Sequence, residues 1–69
     1  MNHYTAVVKH DGDWWIGWVE EVPGVNAQEQ TREALLASLK LVLLEALDMN
    51  RADARAAAGG SYEELALAL

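Results

Sequence analysis

The stretch "WVEEVPGVNAQEQT", residues 18–31, constrains the fold more than any other part of the chain. It leads from an aromatic, strand-like segment through Pro23 and Gly24 to a threonine that precedes a helical pattern. Pro23 has no backbone N–H to donate, so it ends a strand or lies at a sheet edge. Gly24 can adopt backbone angles that a side chain forbids. The pair therefore predicts a sharp corner between two strands.

A hairpin is predicted before this corner. Residues 3–9 are rich in Tyr, Thr and Val, which favours a first strand, and residues 14–21 are aromatic and favour a second. Asp11-Gly12 lies between the two segments and is a strong signal for a hairpin turn. The first two strands are therefore expected to be antiparallel neighbours.

The second strand is apolar on both faces. Strand alternation places Trp14, Ile16 and Trp18 on one face. The other face then carries Trp15, Gly17 and Val19. A strand with one face in water would instead alternate between apolar and polar residues. We therefore expect both faces to be covered, one of them by another subunit.

A short strand and a long helix are predicted after the corner. Residues 25–30 form the third strand, with a polar face, and Thr31 is a preferred N-cap residue. Glu33 adds negative charge to the first helical turn, where the helix dipole favours it. The helix is expected over residues 32 to about 50. Its apolar positions recur at helical spacing: Leu35, Leu39, Val42, Ala46 and Met49.

Two leucines of the predicted helix lie outside this apolar stripe. Leu41 and Leu44 fall among Ala37, Glu45 and Asp48. Scattered exposed leucines are normal on soluble proteins. Alternatively, Leu41 and Leu44 form a second contact surface in an oligomer or with a partner.

The C-terminal part of the sequence allows more than one structure. Residues 50–60 are predicted to be a linker, whose alanines extend the helix or form another short one until Gly59-Gly60 ends it. Ser61 and Glu64 form a capping box, which favours a helix. The alternation of Leu65, Leu67 and Leu69 favours a strand, and a segment this short makes a poor isolated helix. We therefore favour a fourth strand.

The size and charge of the chain limit the functions that it can have. A chain of 69 residues forms one domain at most, spanning residues 1–69, and it buries a small core. Cysteine is absent, which excludes disulfides and thiolate metal sites and leaves self-association or partner binding as sources of stability. The net charge of −6 disfavours direct nucleic-acid binding. It either aids solubility or attracts a basic partner.

The sequence contains no pattern typical of a catalytic or cofactor site. It lacks a zinc-protease motif, a phosphate-binding glycine loop and a dinucleotide fingerprint. Glu20 and Glu21 would point to opposite faces of a strand and cannot act as a carboxylate pair. His10 and Asp11 lie close in sequence, but Asp11 already has a turn role. We predict no enzyme activity, no cofactor and no metal site.

The N-terminal sequence indicates a cytoplasmic protein. It lacks a cationic segment followed by a long apolar run, the pattern of a secretory signal. The longest apolar run, "LVLLEAL", is interrupted by Glu45 and is too short to span a bilayer. We therefore expect a soluble protein with no membrane partner.

The order of these elements resembles the HicB-like antitoxin family. The similarity covers "YTAVVKHDGDWWIGWVEEVPGVNAQEQTREALLASLKLVL", more than half of the chain. Its most telling part is an aromatic strand that runs through "VEEVPG" to a Thr-capped helix at fixed spacing. The residues that match the family's preferences are Tyr4, Trp15, Gly17, Val19, Pro23, Gly24, Thr31, Glu33, Leu36, Leu39 and Lys40.

The resemblance implies an α+β fold of the order β-β-β-α-β. It implies a three-stranded antiparallel sheet, one long helix packed on it and a short fourth strand, a partial ribonuclease-H-like arrangement. The chain departs from the family at Ala34, where a second glutamate is common. It also ends at Leu69, before the DNA-binding domain that many members carry. We therefore expect no direct nucleic-acid binding.

The resemblance also implies a partner. Family members bind and neutralise a small basic HicA-like RNA-cleaving toxin and commonly form dimers or tetramers. The alternative is a stand-alone homo-oligomeric binding module without a toxin. The residues predicted to contact a partner are Trp14, Trp18, Glu20, Glu21, Leu41 and Leu44.

Overall fold

Three antiparallel strands and one long helix form the fold of residues 3–68, which a computed structural model of the chain describes. The strands are β1 (Ala6–Asp11), β2 (Trp14–Val19) and β3 (Asn26–Glu29), and the helix is α1 (Arg32–Ala58). The sheet order is β1-β2-β3, so β2 is the central strand. This architecture confirms the predicted α+β class with a three-stranded sheet and one long helix.

The first hairpin forms at the predicted Asp-Gly signal. Gly12 has a φ of 62°, a left-handed conformation that glycine adopts without steric cost. β1 and β2 pair in antiparallel register from Ala6 opposite Val19 to Asp11 opposite Trp14. This register places Asp11 directly beside Trp14 on the same face of the sheet.

The Pro23–Gly24 corner also forms as predicted. Gly24 has a φ of 89°, and beyond it the Val19 N–H donates a 3.0 Å hydrogen bond to the Val25 carbonyl. The corner thereby folds Val25 under the end of β2, where it is buried. The turn thus contributes to the core by positioning Val25 in it.

We expect Gly24→Val to lower the free energy of unfolding by more than about 1 kcal/mol, because a side chain is strained at positive φ. A Cβ atom at Gly24 would meet no atom within 4 Å, so the loss would come from the backbone alone. Urea unfolding followed by tryptophan fluorescence measures it. A change within about 0.5 kcal/mol, as at an uninvolved surface site, would show that this turn tolerates any residue.

The predicted N-cap starts α1. Thr31 has an extended backbone (φ −129°, ψ 155°), and its Oγ1 accepts a 3.1 Å hydrogen bond from the Ala34 N–H. One helical turn further on, the Ser38 hydroxyl donates a 2.7 Å hydrogen bond to the Glu29 carboxylate. The cap and this bond fix where the helix begins and how it lies on β3.

The core lies between α1 and one face of the sheet. Its buried residues come from β2, the corner and the helix: Val19, Val25, Leu35 and Leu39. Gly17 lies in the middle of β2 on this face, and a Cβ atom there would lie 3.1 Å from a Leu39 methyl carbon and 3.2 Å from a Leu35 methyl carbon. The missing side chain therefore lets the helix approach the sheet closely.

The helix continues beyond the predicted end near residue 50. α1 runs to Ala58, because the alanine-rich segment has high helix propensity and extends the helix, one of the two outcomes expected for it. Gly59, with a φ of 75°, then ends the helix, and its N–H donates a 3.2 Å hydrogen bond to the Ala56 carbonyl. Gly59 is therefore the stop signal that the sequence predicted.

The structure does not show the predicted fourth strand. Residues 61–68 form no strand, and Leu69 lies outside the described residues. The extended helix explains this difference, since residues from Asp48 onward are exposed and carry the chain away from the sheet. The ribonuclease-H-like arrangement, which depends on a fourth strand beside the sheet, remains a prediction.

Candidate partner-binding face

The face of the sheet opposite α1 carries an uncovered apolar surface. Trp14, Ile16 and Trp18 project from it, and Trp14 and Trp18 are each 42% exposed. We call these three residues the tryptophan face. Val7, opposite Trp18 in the register, adds a half-buried apolar neighbour from β1.

Strand alternation is the physical origin of this face. Gly17 and Val19 point to the helix side, where they are buried, so Ile16 and Trp18 must point to the other side. Trp15 also lies on the helix side, where its ring stacks on His10 with 4.7 Å between the ring centroids. The predicted division of β2 into two apolar faces is confirmed, and α1 covers one of them.

The tryptophan face continues into a shallow depression at β3. The depression has a volume of about 310 Å³, and its walls include Ile16, Trp18 and the amide side chains of Asn26 and Gln28. Aromatic residues are enriched at the centres of protein interfaces, and the rims of such interfaces are polar.

Acidic side chains lie at both ends of the hairpin. Asp11 and Asp13 flank the first turn beside Trp14, and Glu20 and Glu21 follow the other end of β2. The Glu21 carboxylate accepts a 2.7 Å hydrogen bond from the Thr5 N–H, which lowers the pKa of Glu21. Glu21 is thus tied to the start of β1 and stays charged at neutral pH.

The structure does not bring the six predicted contact residues together. Trp14 and Trp18 share the tryptophan face, and Glu20 and Glu21 lie at the corner after β2. Leu41 and Leu44 are exposed on the side of α1 that points away from the sheet. Leu41 and Leu44 therefore lie on a different side of the molecule from the tryptophan face.

Sequence reasoning missed three residues of this surface. Alternation predicts Ile16 beside the tryptophans, but the predicted contact residues do not include it. Asn26 and Gln28 gave no signal, because their position beside Trp18 and Ile16 depends on the β2–β3 register. Only the pairing of Trp18 with Asn26 and Ile16 with Gln28 shows that amides border the face.

Two features that often mark active sites are absent from the described residues. Within residues 3–68, no group of three or more His, Cys, Asp or Glu side chains could hold a metal ion. In the same part of the chain, no polar or charged side chain is buried. Buried polar groups with shifted pKa values are the usual mark of an active site. The tryptophan face is the candidate functional surface because its aromatic side chains are exposed.

No helix among the described residues combines the length and the apolar character needed to cross a bilayer.

Comparison with known proteins does not assign the chain to a family. No protein-family model matches it, and no curated protein and no solved structure is significantly similar to it. The resemblance to HicB-like antitoxins therefore stays a prediction.

Proposed function

We propose that this protein is an antitoxin-like inhibitor that binds a small basic HicA-like RNA-cleaving toxin through the tryptophan face. The observation that carries the proposal is the uncovered surface of Trp14, Ile16 and Trp18 bordered by carboxylates. Tryptophan is enriched among interface residues that dominate binding energy. Inhibition needs no chemistry on this chain, because covering the toxin's RNA-binding surface blocks its substrate.

Charge supports a basic partner. The chain carries a net charge of −6, and Asp11 lies directly across the β1–β2 ladder from Trp14. Carboxylates near an apolar contact steer a cationic partner to it and speed association. Lys9, opposite Ile16, gives the face one positive group. A partner that fits is therefore cationic with an apolar centre and carries an acidic group or a carbonyl oxygen to meet Lys9.

The test is co-expression with the product of a neighbouring gene that encodes a short basic protein, followed by pull-down and rescue of growth. Trp14→Ser combined with Trp18→Ser should weaken the complex by at least about 30-fold, because interface tryptophans are worth about 2 kcal/mol or more. Leu41→Ser with Leu44→Ser is the matched control. It removes exposed apolar groups from the far side of α1 and should change affinity less than about twofold.

Association and dissociation rates distinguish the role of the charged groups from that of the apolar groups. Association should slow as salt rises, because exposed charges are screened beyond about 10 Å at 0.1 M. Neutralising Asp11, Asp13 and Glu20 together should lower the association rate more than it raises the dissociation rate. If the neighbour is neither toxic nor bound, the antitoxin proposal fails. If the leucine control, rather than the tryptophan pair, abolishes binding, the site is on the helix.

A second candidate function is a stand-alone, self-associating binding module. The exposed apolar residues of the last helical turns and the tail favour it, since they are distant from the tryptophan face: Met49, Tyr62, Leu65 and Leu67. In this case the chain associates with its own copies whether or not a basic partner is present. A neighbouring gene for a short basic protein whose product binds this chain favours the antitoxin, and the absence of such a neighbour favours the stand-alone module.

A further inference from the structure

An apolar groove runs between the outer edge of β1 and the helix. It has a volume of about 410 Å³, and its apolar lining consists of Tyr4, Ala6, Val19, Leu36, Leu39 and Leu43. We call it the β1 groove. Its rim also carries the side chains of His3 and Lys40. The groove lies on the helix side of the sheet and is therefore separate from the tryptophan face.

The backbone beside this groove is ready to accept another strand. β1 is an edge strand. The Glu20 N–H donates a 2.9 Å hydrogen bond to the Thr5 carbonyl. The backbone groups of Thr5 therefore point towards the β2 side of β1. Bonded and non-bonded residues alternate in an antiparallel pair, so Ala6 and Val8 direct their N–H and carbonyl groups outward. An edge of this kind is a template for strand addition.

The C-terminal tail has the properties of the missing strand. Leu65 and Leu67 alternate with Ala66 and Ala68, and the two leucines are 76% and 91% exposed. Alternating leucines that stay in water are unfavourable, since each would gain about 1.5–3 kcal/mol from full burial. Two leucines at this spacing point to the same side of a strand and match an apolar groove beside a sheet edge.

The groove of the same chain cannot take both tail leucines. From Leu43, at the near end of the groove, to Ala58 the helix rises ~22 Å. After the Gly59-Gly60 turn, the chain from Gly60 to Leu65 covers at most ~18 Å. The tail also lies beside the last turns of the helix, where Glu64 and Arg55 form a 3.0 Å salt bridge. Leu65 therefore cannot enter its own groove while α1 stays helical.

We propose that residues 62–68 of one chain add as a strand to the β1 edge of a second copy and place Leu65 and Leu67 in its β1 groove. Charge supports this occupant, because Glu63 and Glu64 of the tail would approach the Lys40 ammonium at the groove rim. The Arg55–Glu64 salt bridge is exposed and costs little to exchange. A reciprocal exchange covers both grooves and gives the protruding half of each helix a neighbour.

The first test measures assembly of the full chain by sedimentation velocity and light scattering at micromolar concentration. We expect twice the mass of one chain. Leu65→Asp with Leu67→Asp should raise the dimer dissociation constant at least about tenfold per leucine. Both positions lie outside the core, so the helical signal in circular dichroism should stay unchanged. Leu41→Asp, on the outward side of α1, should leave the constant within about twofold.

A substitution in the β1 edge tests the proposed binding site on the chain that receives the tail. Ala6→Pro removes an outward N–H while leaving the β1–β2 ladder intact, and proline is tolerated at the first residue of an edge strand. It should weaken the dimer as the tail variant does. A tail effect without an edge effect would overturn the proposed β1 site.

Cross-linking distinguishes exchange between chains from pairing within one. The protein has no cysteine, so Ala6→Cys and Leu67→Cys can be placed in separate proteins and mixed with a short bis-maleimide. A cross-linked heterodimer is expected. A monomer at all concentrations, a dimer insensitive to the tail variant, or a doubly substituted chain that cross-links only within itself would each overturn the proposal. None of these outcomes depends on a toxin, so failure here leaves the proposed function standing.

Discussion

Leu35→Ala is expected to lower the free energy of unfolding by about 3 kcal/mol, within the range of about 2–5 kcal/mol for buried leucines. Leu35 is 0% exposed and lies at the centre of the core with Val19, Val25 and Leu39. Truncation loses its buried methyl groups and leaves a cavity that the short strands cannot close. In a domain of this size, the midpoint of thermal unfolding should fall by about 12–24 °C.

Thermal unfolding followed by circular dichroism and tryptophan fluorescence measures this loss. Leu44→Ala is the matched control, because Leu44 belongs to the same helix and is 61% exposed. It should change stability by less than about 0.5 kcal/mol. Equal losses at Leu35 and Leu44 would mean that α1 does not pack on the sheet as described.

Gly17→Val is expected to cost about 3 kcal/mol, the upper part of the range for overpacked cores. A Cβ atom at Gly17 would lie 3.0 Å from the Val7 carbonyl oxygen and close to methyl carbons of Leu35 and Leu39. The leucine methyls can move, but the carbonyl belongs to the β1 backbone and cannot move without distorting the ladder. Valine adds two further methyl groups to this space, so the helix must lift from the sheet.

Gly60→Val is the control for this substitution. A Cβ atom at Gly60 would meet nothing within 4 Å, and its φ is not positive, so the same chemical change should be nearly neutral. Gly17→Ala should cost less than Gly17→Val, since its Cβ meets the same Val7 carbonyl oxygen and leucine methyls but adds no further methyl groups. If Gly17→Val unfolds at the same urea concentration as the parent protein, the close approach of α1 to β2 is disproved.

The local signals of the sequence predicted the core of the fold well. Each depends on the chemistry of one or two residues: the positive φ of Gly12 and Gly24, the Thr31 hydroxyl at the helix start and the stop at Gly59. The two faces of β2 followed from strand alternation alone. These features need no knowledge of distant contacts, because the backbone geometry that they require is decided within a few residues.

The candidate site was predicted only in part. Trp14 and Trp18 were placed on one face by alternation, but grouping them with Leu41 and Leu44 required knowing which side of α1 meets the sheet. The helix stripe was correct from Leu35 to Ala46, although Met49 at its end is exposed, so the two outer leucines lie on the far side of α1. Separate patterns on a strand and on a helix do not reveal whether two exposed groups share a surface.

The sequence by itself determined the element order, the corner and the apolar faces, because propensity, capping and periodicity act over short distances. Tertiary structure decided the rest. The β2–β3 register placed Asn26 and Gln28 beside the tryptophan face, and the close approach at Gly17 set the distance between helix and sheet. The tail shows the difference most clearly. Its alternation favoured a strand, but a strand needs an edge within reach, and the uninterrupted helix to Ala58 carries the tail away from its own sheet.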